Sequence, residues 1–444
     1  MQCIVHLRLK LRLIQVRSRN MQIELAYGRT GLMVDLPDEQ TTVVEPKHLP
    51  GLPDVKSALI NALRNPIDSL PLRQLVKPKQ TVAISVCDIT RPMPSSTVLP
   101  VLLEELRHVP KDQVLILIAT GTHRANTDDE LQEMLGADIV RDYPVINHSA
   151  FDSNDLVHIG DTDTGIPIWL NKFWVNADVR ITTGFVEPHF FAGFSGGPKM
   201  VAPGLAGFDT IMELHSAKLI AHPKSTWAVT YGNPIHDAIR QIAKQSCVDF
   251  SIDVTINRER QITSSYAGEL FAVHRAVCET ARRNAMCRVH KPFDVVITTN
   301  SGFPLDMNLY QSVKGMSAAS LVAREGGTII CAAECRDGLP DHGEYGKMLL
   351  LRDSPEELLK MVNSWHKGHH DQWQVQIQSQ LLMRNEIYLK SGYLTPEQIR
   401  SAHFKPSEDI QVTIGNAIDK HGGTGASVCV LPQGPQTIPY IESL

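Results

Sequence analysis

The chain has no apolar run long enough to span a bilayer, so it offers no candidate transmembrane helix. It has no CxxC pair. Its eight cysteines, Cys3, Cys87, Cys247, Cys278, Cys287, Cys331, Cys335 and Cys429, are scattered. That distribution argues against a zinc knuckle or a disulfide framework and for a reducing, cytoplasmic compartment. Cys331 and Cys335 are one helical turn apart in number but flank the end of an expected strand, a poor setting for a shared metal. Positive charge is not in excess: the formal net charge is −5, which implies no broad attraction to nucleic acid. There is no HExxH motif, no internal repeat and no Gly- or Pro-rich tract that marks a sharp linker. Residues 1–20 lack any acid while carrying Arg8, Lys10, Arg12, Arg17 and Arg19. Charges break up their apolar residues, so a secretory core is missing too. A clean hairpin pattern begins at Met21, with a Gly-containing turn before Leu32-Met33-Val34. Met21 is therefore the expected natural start, and 1–20 an extension that is disordered or not native.

What is present fits a soluble globular protein of two or more domains: 444 residues, 43% hydrophobic and 20% charged. Thr81 to Val86 reads as a buried strand, followed by the loop Asp88-Ile89-Thr90-Arg91-Pro92 and a helix over 96–108. Val114 to Ala119 is the next strand. It ends in Gly121-Thr122-His123-Arg124, and Asp128-Asp129-Glu130 opens a helix with the charge its dipole favours. A third strand, 178–183, runs into Glu187-Pro188-His189-Phe190-Phe191-Ala192-Gly193-Phe194-Ser195-Gly196-Gly197-Pro198-Lys199. Strand, loop and helix repeated at this spacing predict a parallel sheet whose strand ends converge on one cleft. A second unit starts near 292, with strands at 293–299, 327–331 and 427–431, helices over 309–323 and 410–420, and a charged, mostly helical stretch at 340–405. The expectation is an α/β protein of two domains, 21–285 and 286–444, around an active-site cleft.

The glycine loop offers backbone N–H groups to an anion, and it carries an imidazole and an ammonium at His189 and Lys199. Asp88 and Arg91 form an ordinary Asx-type turn on a bland reading; a basic residue at a strand's carboxyl end also suits a ligand anion. A lone histidine is usually structural or solvated. Two of them, His123 and His189, at neighbouring strand ends suit a paired general acid and base. His215 is expected on a helix over 209–219, either as a surface residue or as an imidazole ligand for nickel or zinc. Lys199 could counter a phosphate or, with a depressed pKa, act as a nucleophile. Tyr310, Gln311 and Lys314 open the second unit's first helix; Gln311 and Lys314 share a face that is either solvated or clamps a carboxylate across the cleft.

Taken in order, DITRP at 88–92, GTHR at 121–124, EPHFFAGFSGGPK at 187–199, His215 and YQSVKG at 310–315 resemble the nickel-dependent lactate racemase family of 2-hydroxyacid racemases and epimerases. The resemblance covers most of the chain from Met21 onward. It implies two α/β domains around a cleft, and a nickel-pincer nucleotide, a pyridinium bisthiocarboxylate mononucleotide that holds nickel. It implies inversion of the C2 centre of a 2-hydroxy acid by proton-coupled hydride transfer to that cofactor. By motif, His215 would bind nickel and Lys199 would attach covalently to the cofactor. Asp88, Ile89, Thr90 and Arg91 would position it, and His123 and His189 would be the catalytic bases. Arg91, Tyr310, Gln311 and Lys314 would hold the substrate, with Trp373 as an aromatic wall. Cofactor-biosynthesis proteins would be its partners. Two other classes stay open: a zinc-dependent hydrolase using His123, His189 and His215, and a cofactor-binding protein without turnover.

Overall fold

The computed structural model describes residues 20–47, 49–340, 343–365 and 368–441. The expectations for residues 1–19 and for Cys3 lie outside the described residues. Two six-stranded sheets organise the chain. In the first, the strand order is Ile262–Gly268, Phe250–Ile256, Val179–Phe185, Val82–Cys87, Val114–Ala119, Val145–Asn147. All neighbours are parallel except the edge strand Ile262–Gly268, which runs antiparallel. Val82–Cys87 lies at the centre and is buried at every position, which is why it reads as a continuous apolar run. Side chains alternate between its faces. Val82, Ile84 and Val86 join Leu59, Leu63, Val98 and Leu102 in one core, while Ala83 joins Phe191, Val201 and Leu205 in another. Val179–Phe185 and Val114–Ala119 flank this strand. The loops carrying DITRP, GTHR and EPHFFAG therefore leave the same edge of three adjacent strands.

The second sheet has the order Lys405–Pro406, Glu386–Lys390, Ala323–Ala332, Phe293–Thr299, Val428–Leu431, Thr41–Val43, parallel throughout. Its last strand comes from the N-terminal end of the chain. Thr41–Val43 pairs with Val428–Leu431, and the hairpin of Asn20–Leu25 with Leu32–Pro37 buries Leu25, Val34 and Leu36 against Val295, Ile297 and Ile330. The start of the 21–285 segment thus belongs to the second unit. Near the expected boundary, Met286–Val289 pairs in parallel with Ile438–Ile441. Within 340–405 the helical pattern is interrupted by the strand Glu386–Lys390, where Ile387 and Leu389 are buried between polar neighbours. That two-residue period is the signal of a strand in a charged sequence.

The helix expected over 209–219 is broken. Phe208–Leu214 ends at His215, Ser216 takes an extended backbone (ψ 148), and a short helix Ala217–Ile220 follows. Two capping devices match their sequence signals. Thr127 and Glu130 form a reciprocal capping box on Asp128–Leu135, and Asn308 caps the helix Leu309–Ser320 through the Gln311 N–H. Among the described residues no helix is long and apolar enough to cross a membrane.

Candidate active site

The three histidines expected at the site share one geometric habit. Each is anchored through Nδ1. The His123 Nδ1 lies 2.7 Å from the Asp88 carboxylate, the His215 Nδ1 lies 2.8 Å from the Ile211 carbonyl, and the His189 Nδ1 accepts from the Ala192 N–H at 3.2 Å. No Nε2 of the three has a hydrogen-bond partner among the described residues. The anchors also set the tautomers. A carbonyl or carboxylate requires a proton on Nδ1, so neutral His123 and His215 present a lone pair at Nε2. His189 uses its Nδ1 lone pair on a backbone N–H, so its neutral ring presents Nε2–H.

The electrostatics keep these groups poised. Burial pushes the His215 pKa down to about 4, so the ring is neutral at working pH despite the raising effect of the Ile211 carbonyl. Burial, then Lys199, Lys314 and Arg91, holds His189 well below the usual imidazole range. Burial pushes Asp88 up, but the hydrogen bond and charge of His123, together with Arg91 and Thr90, outweigh it and leave its pKa lowered. Asp88 is thus an ionised carboxylate held by two donors: Thr90 Oγ1 donates to its Oδ1 at 2.8 Å and His123 to its Oδ2.

Burial and the neighbouring cations Arg91 and Lys314 depress Lys199 strongly, with Glu187 opposing them. An amine of this kind is a nucleophile at ordinary pH. Neither Lys199 nor the Arg91 guanidinium has a hydrogen-bond or ion-pair partner among the described residues. Lys314 is brought down to about 8, by burial and by Arg91. Its Nζ donates to Gln311 Oε1 at 2.7 Å, which places both side chains on one helix face. Tyr310 Oη accepts from Trp373 Nε1 at 3.0 Å.

Two phenylalanines that sequence reasoning passed over hold the cluster together. The Phe191 ring lies 4.5 Å from the His189 ring and 5.3 Å from the His215 ring, edge-on to both, with Lys199 Nζ 5.8 Å from its centroid. Phe190 lies 5.1 Å from His189 and 5.9 Å from Lys314 Nζ. Trp373 packs on His215 from the second unit, with ring centroids 4.6 Å apart. The site therefore forms where the first unit's strand ends meet the helices Leu309–Ser320 and Gln372–Arg384. Glu187 was also missed. It stands with Ile89, Thr90, Arg91 and Pro188 on the wall of a cleft of about 840 Å³ that also reaches Tyr27, Arg29 and Phe303. Its side chain meets cleft water, while protein on the other sides raises its pKa against the pull of Arg91, Lys314 and Lys199.

The glycine loop is not the open anion cradle its composition suggests. The Gly197 N–H donates to the buried Asp253 carboxylate at 3.1 Å, and the Ser195 N–H donates to the Glu187 carbonyl. The loop's carbonyls are held as well: Asn233 Nδ2 donates to Phe191, and His274 Nε2 lies 3.0 Å from the Ser195 carbonyl oxygen. Glycine is needed for close packing. Gly197 has φ +48, and a Cβ there would lie 2.4 Å from the His274 ring. The loop is a braced platform for His189 and Lys199. Its bracing residues sit 42 to 79 positions away in sequence, beyond the reach of any local signal.

Comparison with known proteins agrees with this architecture. Residues 27–228 match the lactate racemase N-terminal domain and residues 289–438 the lactate racemase C-terminal domain. The chain is 34% identical over 425 residues to the lactate racemase of Thermoanaerobacterium thermosaccharolyticum, covering 94% of this chain and 98% of that one. It is 36% identical over 375 residues to the lactate racemase of Lactiplantibacillus plantarum, covering 84% and 88%. The solved lactate racemase apoprotein from T. thermosaccharolyticum superposes with a TM-score of 0.89 at 33% identity, over 94% of this chain and 100% of that chain. The chain belongs to the lactate racemase family of isomerases.

Proposed function

We propose that the chain racemises a 2-hydroxy acid, with lactate, the substrate named for its relatives, as the first candidate, using a nickel-pincer nucleotide. One observation carries the reading: three imidazoles anchored at Nδ1, with Nε2 unbonded among the described residues, beside Arg91 and Lys199, whose charged groups have no hydrogen-bond or ion-pair partner among those residues. The residues fit the cofactor. His215 is neutral and buried, and its Nε2 lone pair is oriented by a carbonyl on the other ring nitrogen, as a metal-binding imidazole requires. Lys199 is a depressed amine able to condense with a thiocarboxylate, forming a thioamide C–N bond with loss of water. Asp88 to Arg91 would position the nucleotide. When bound, the cofactor supplies a reversible acceptor for the hydride on C2, which avoids building a carbanion beside a carboxylate.

The chain's own groups do the rest. The Lys314 ammonium and Arg91 bind the substrate carboxylate, with Gln311 and Tyr310 beside it. His123 Nε2 accepts the hydroxyl proton, and Asp88 stabilises the imidazolium that forms. To return a proton to the same oxygen when the planar keto acid turns over, His189 first takes up a second proton, its Nδ1 giving up the Ala192 N–H; as an imidazolium it donates from Nε2 and is left neutral, while His123 keeps the proton it accepted. The opposite enantiomer is processed with the proton starting on the other ring. Phe190, Phe191 and Trp373 exclude water from the reacting carbon. A zinc hydrolase built on the same histidines finds no support: among the described residues no three His, Cys, Asp or Glu side chains could hold a metal ion, and His189 presents a proton where a ligand needs a lone pair.

The test is to express the chain together with cofactor-biosynthesis proteins, measure nickel and cofactor absorbance, and follow L- and D-lactate by chiral chromatography within a panel of 2-hydroxy acids. Equal conversion of both enantiomers of one acid supports the proposal. A loaded protein that turns over no member of the panel would favour a non-catalytic cofactor-binding protein.

A further inference from the structure

The helix Gln372–Arg384 begins Gln-Trp-Gln-Val-Gln-Ile-Gln, and all four of these glutamines are buried. A buried amide is costly unless it is hydrogen-bonded, so its partners reveal its role. Residues four apart share a helix face, and residues two apart lie on nearly opposite faces. The glutamines divide accordingly. Gln372 and Gln376 point to the first unit: their Nε2 groups donate to the carbonyls of His215, at 3.3 Å, and Ala217, at 2.9 Å. Gln374 and Gln378 point to the second unit and donate to the carbonyls of Tyr310 and Ala402. Between the two sets, Trp373 lays its ring on the His215 imidazole and gives its Nε1–H to Tyr310.

The contacted carbonyls flank the break in the helix at His215. A chain that leaves helical geometry there leaves a carbonyl without its usual intrahelical donor. Gln372 supplies that donor from the other unit. We infer that Gln372 and Gln376 are positioning residues for His215: Gln372 caps the helix that ends there, Gln376 adds a second donor to the Ala217 carbonyl two residues on, and together they fix from across the cleft the backbone from which the imidazole is presented to the cofactor's metal. The inference rests on the proposed role of His215 as the metal ligand. Stability alone does not account for the arrangement, because the Gln374 and Gln376 Oε1 atoms are buried and accept no hydrogen bond among the described residues. Replacing such an amide by an apolar chain of similar volume is close to neutral for folding.

The test uses the cofactor-loaded enzyme and reads nickel per chain by elemental analysis after timed dialysis, with Tm measured alongside. Gln372→Met and Gln376→Met lose nickel about tenfold faster than the unaltered protein, the usual effect of removing a group that orients a metal ligand. Gln376→Met does so with Tm changed by no more than about 2 °C. Gln378→Met, which breaks contacts with Tyr345 and Ala402 inside the second unit, lowers Tm and keeps its nickel. Nickel retention in Gln372→Met and Gln376→Met equal to that of the unaltered protein, while His215→Ala loses its metal, overturns this inference and leaves the ligand assignment standing. Equal nickel loss in Gln378→Met also overturns it, since general loosening would then explain the effect. Full nickel in His215→Ala overturns the ligand assignment itself, and the inference with it.

Discussion

The two units are built alike and used differently. Each is a six-stranded, mostly parallel sheet with helices around it. In the first, the loops at the carboxyl ends of three adjacent strands carry Asp88, Arg91, His123, His189 and Lys199, groups that would exchange protons or form bonds in the proposed reaction. The second approaches the same site with helices. Leu309–Ser320 brings Lys314 and Gln311, and Gln372–Arg384 brings Trp373 and a row of amides. Under the proposed reaction the comparison teaches a division of labour: strand ends would hold the reactive atoms, while helices from the second unit would supply binding and register. A parallel sheet directs every strand end to one edge, so reactive groups concentrate there.

The largest expected effects fall on the first unit. His123→Ala and His189→Ala each lower racemisation by roughly 10² to 10⁴, the range of general acid–base catalysis, while cofactor absorbance persists. A chiral assay giving near-normal turnover for either variant would remove that histidine from the mechanism. Lys199→Ala abolishes covalent retention: intact-mass measurement after denaturation shows added cofactor mass on the loaded unaltered chain and the bare chain for the variant. Bare mass for both would refute the link. Asp88→Asn loses the charge that fixes the His123 tautomer and lowers kcat by on the order of 10²-fold, short of the full loss seen when a buried triad carboxylate is replaced, because His123 is half-exposed.

Second-unit variants sharpen the contrast by acting on binding. Lys314→Ala raises KM by roughly 10- to 100-fold, the worth of one charged hydrogen bond, with a smaller change in kcat. The same lysine sets a pH dependence. Its pKa of about 8 means that the ammonium is present below pH 8 and is lost above it. KM therefore rises with pH above about 8, by up to tenfold per unit, and Lys314→Arg flattens that rise. A flat profile in the unaltered enzyme would count against Lys314 as the carboxylate's partner. The smallest effect is on stability. Gly197→Ala, at φ +48 with a Cβ 2.4 Å from the His274 ring, costs about 1–3 kcal/mol and lowers Tm in a thermal melt. An unchanged Tm would mean that the loop is less tightly braced than its contacts imply.

Much of this arrangement was legible in advance. The strands Val82–Cys87, Val114–Ala119 and Val179–Phe185 follow from short apolar runs, and their end loops follow from position alone. The Asp88–His123 pair is the kind of contact that two adjacent parallel strand ends must allow. What escaped has a common character. Phe190 and Phe191 read as plain core residues, and Glu187 has no sequence partner. The glutamine row reads as polar surface, because a buried amide looks the same as an exposed one until its acceptors are known.

By itself the sequence determined the α/β class, the parallel order of strand and helix, and which candidate side chains stand at strand ends, because these depend on periodicity and composition within a few residues. Only the tertiary structure decided which backbone groups were free. It turned the glycine loop from a cradle into a platform by giving its N–H groups to Asp253 and its neighbours. It broke the helix at His215 and capped the break with Gln372, 157 residues away. It moved the N-terminal strand Thr41–Val43 beside Val428–Leu431. Each of these outcomes satisfies a buried polar group with a partner remote in the chain, and that choice is made by packing, after local structure has formed.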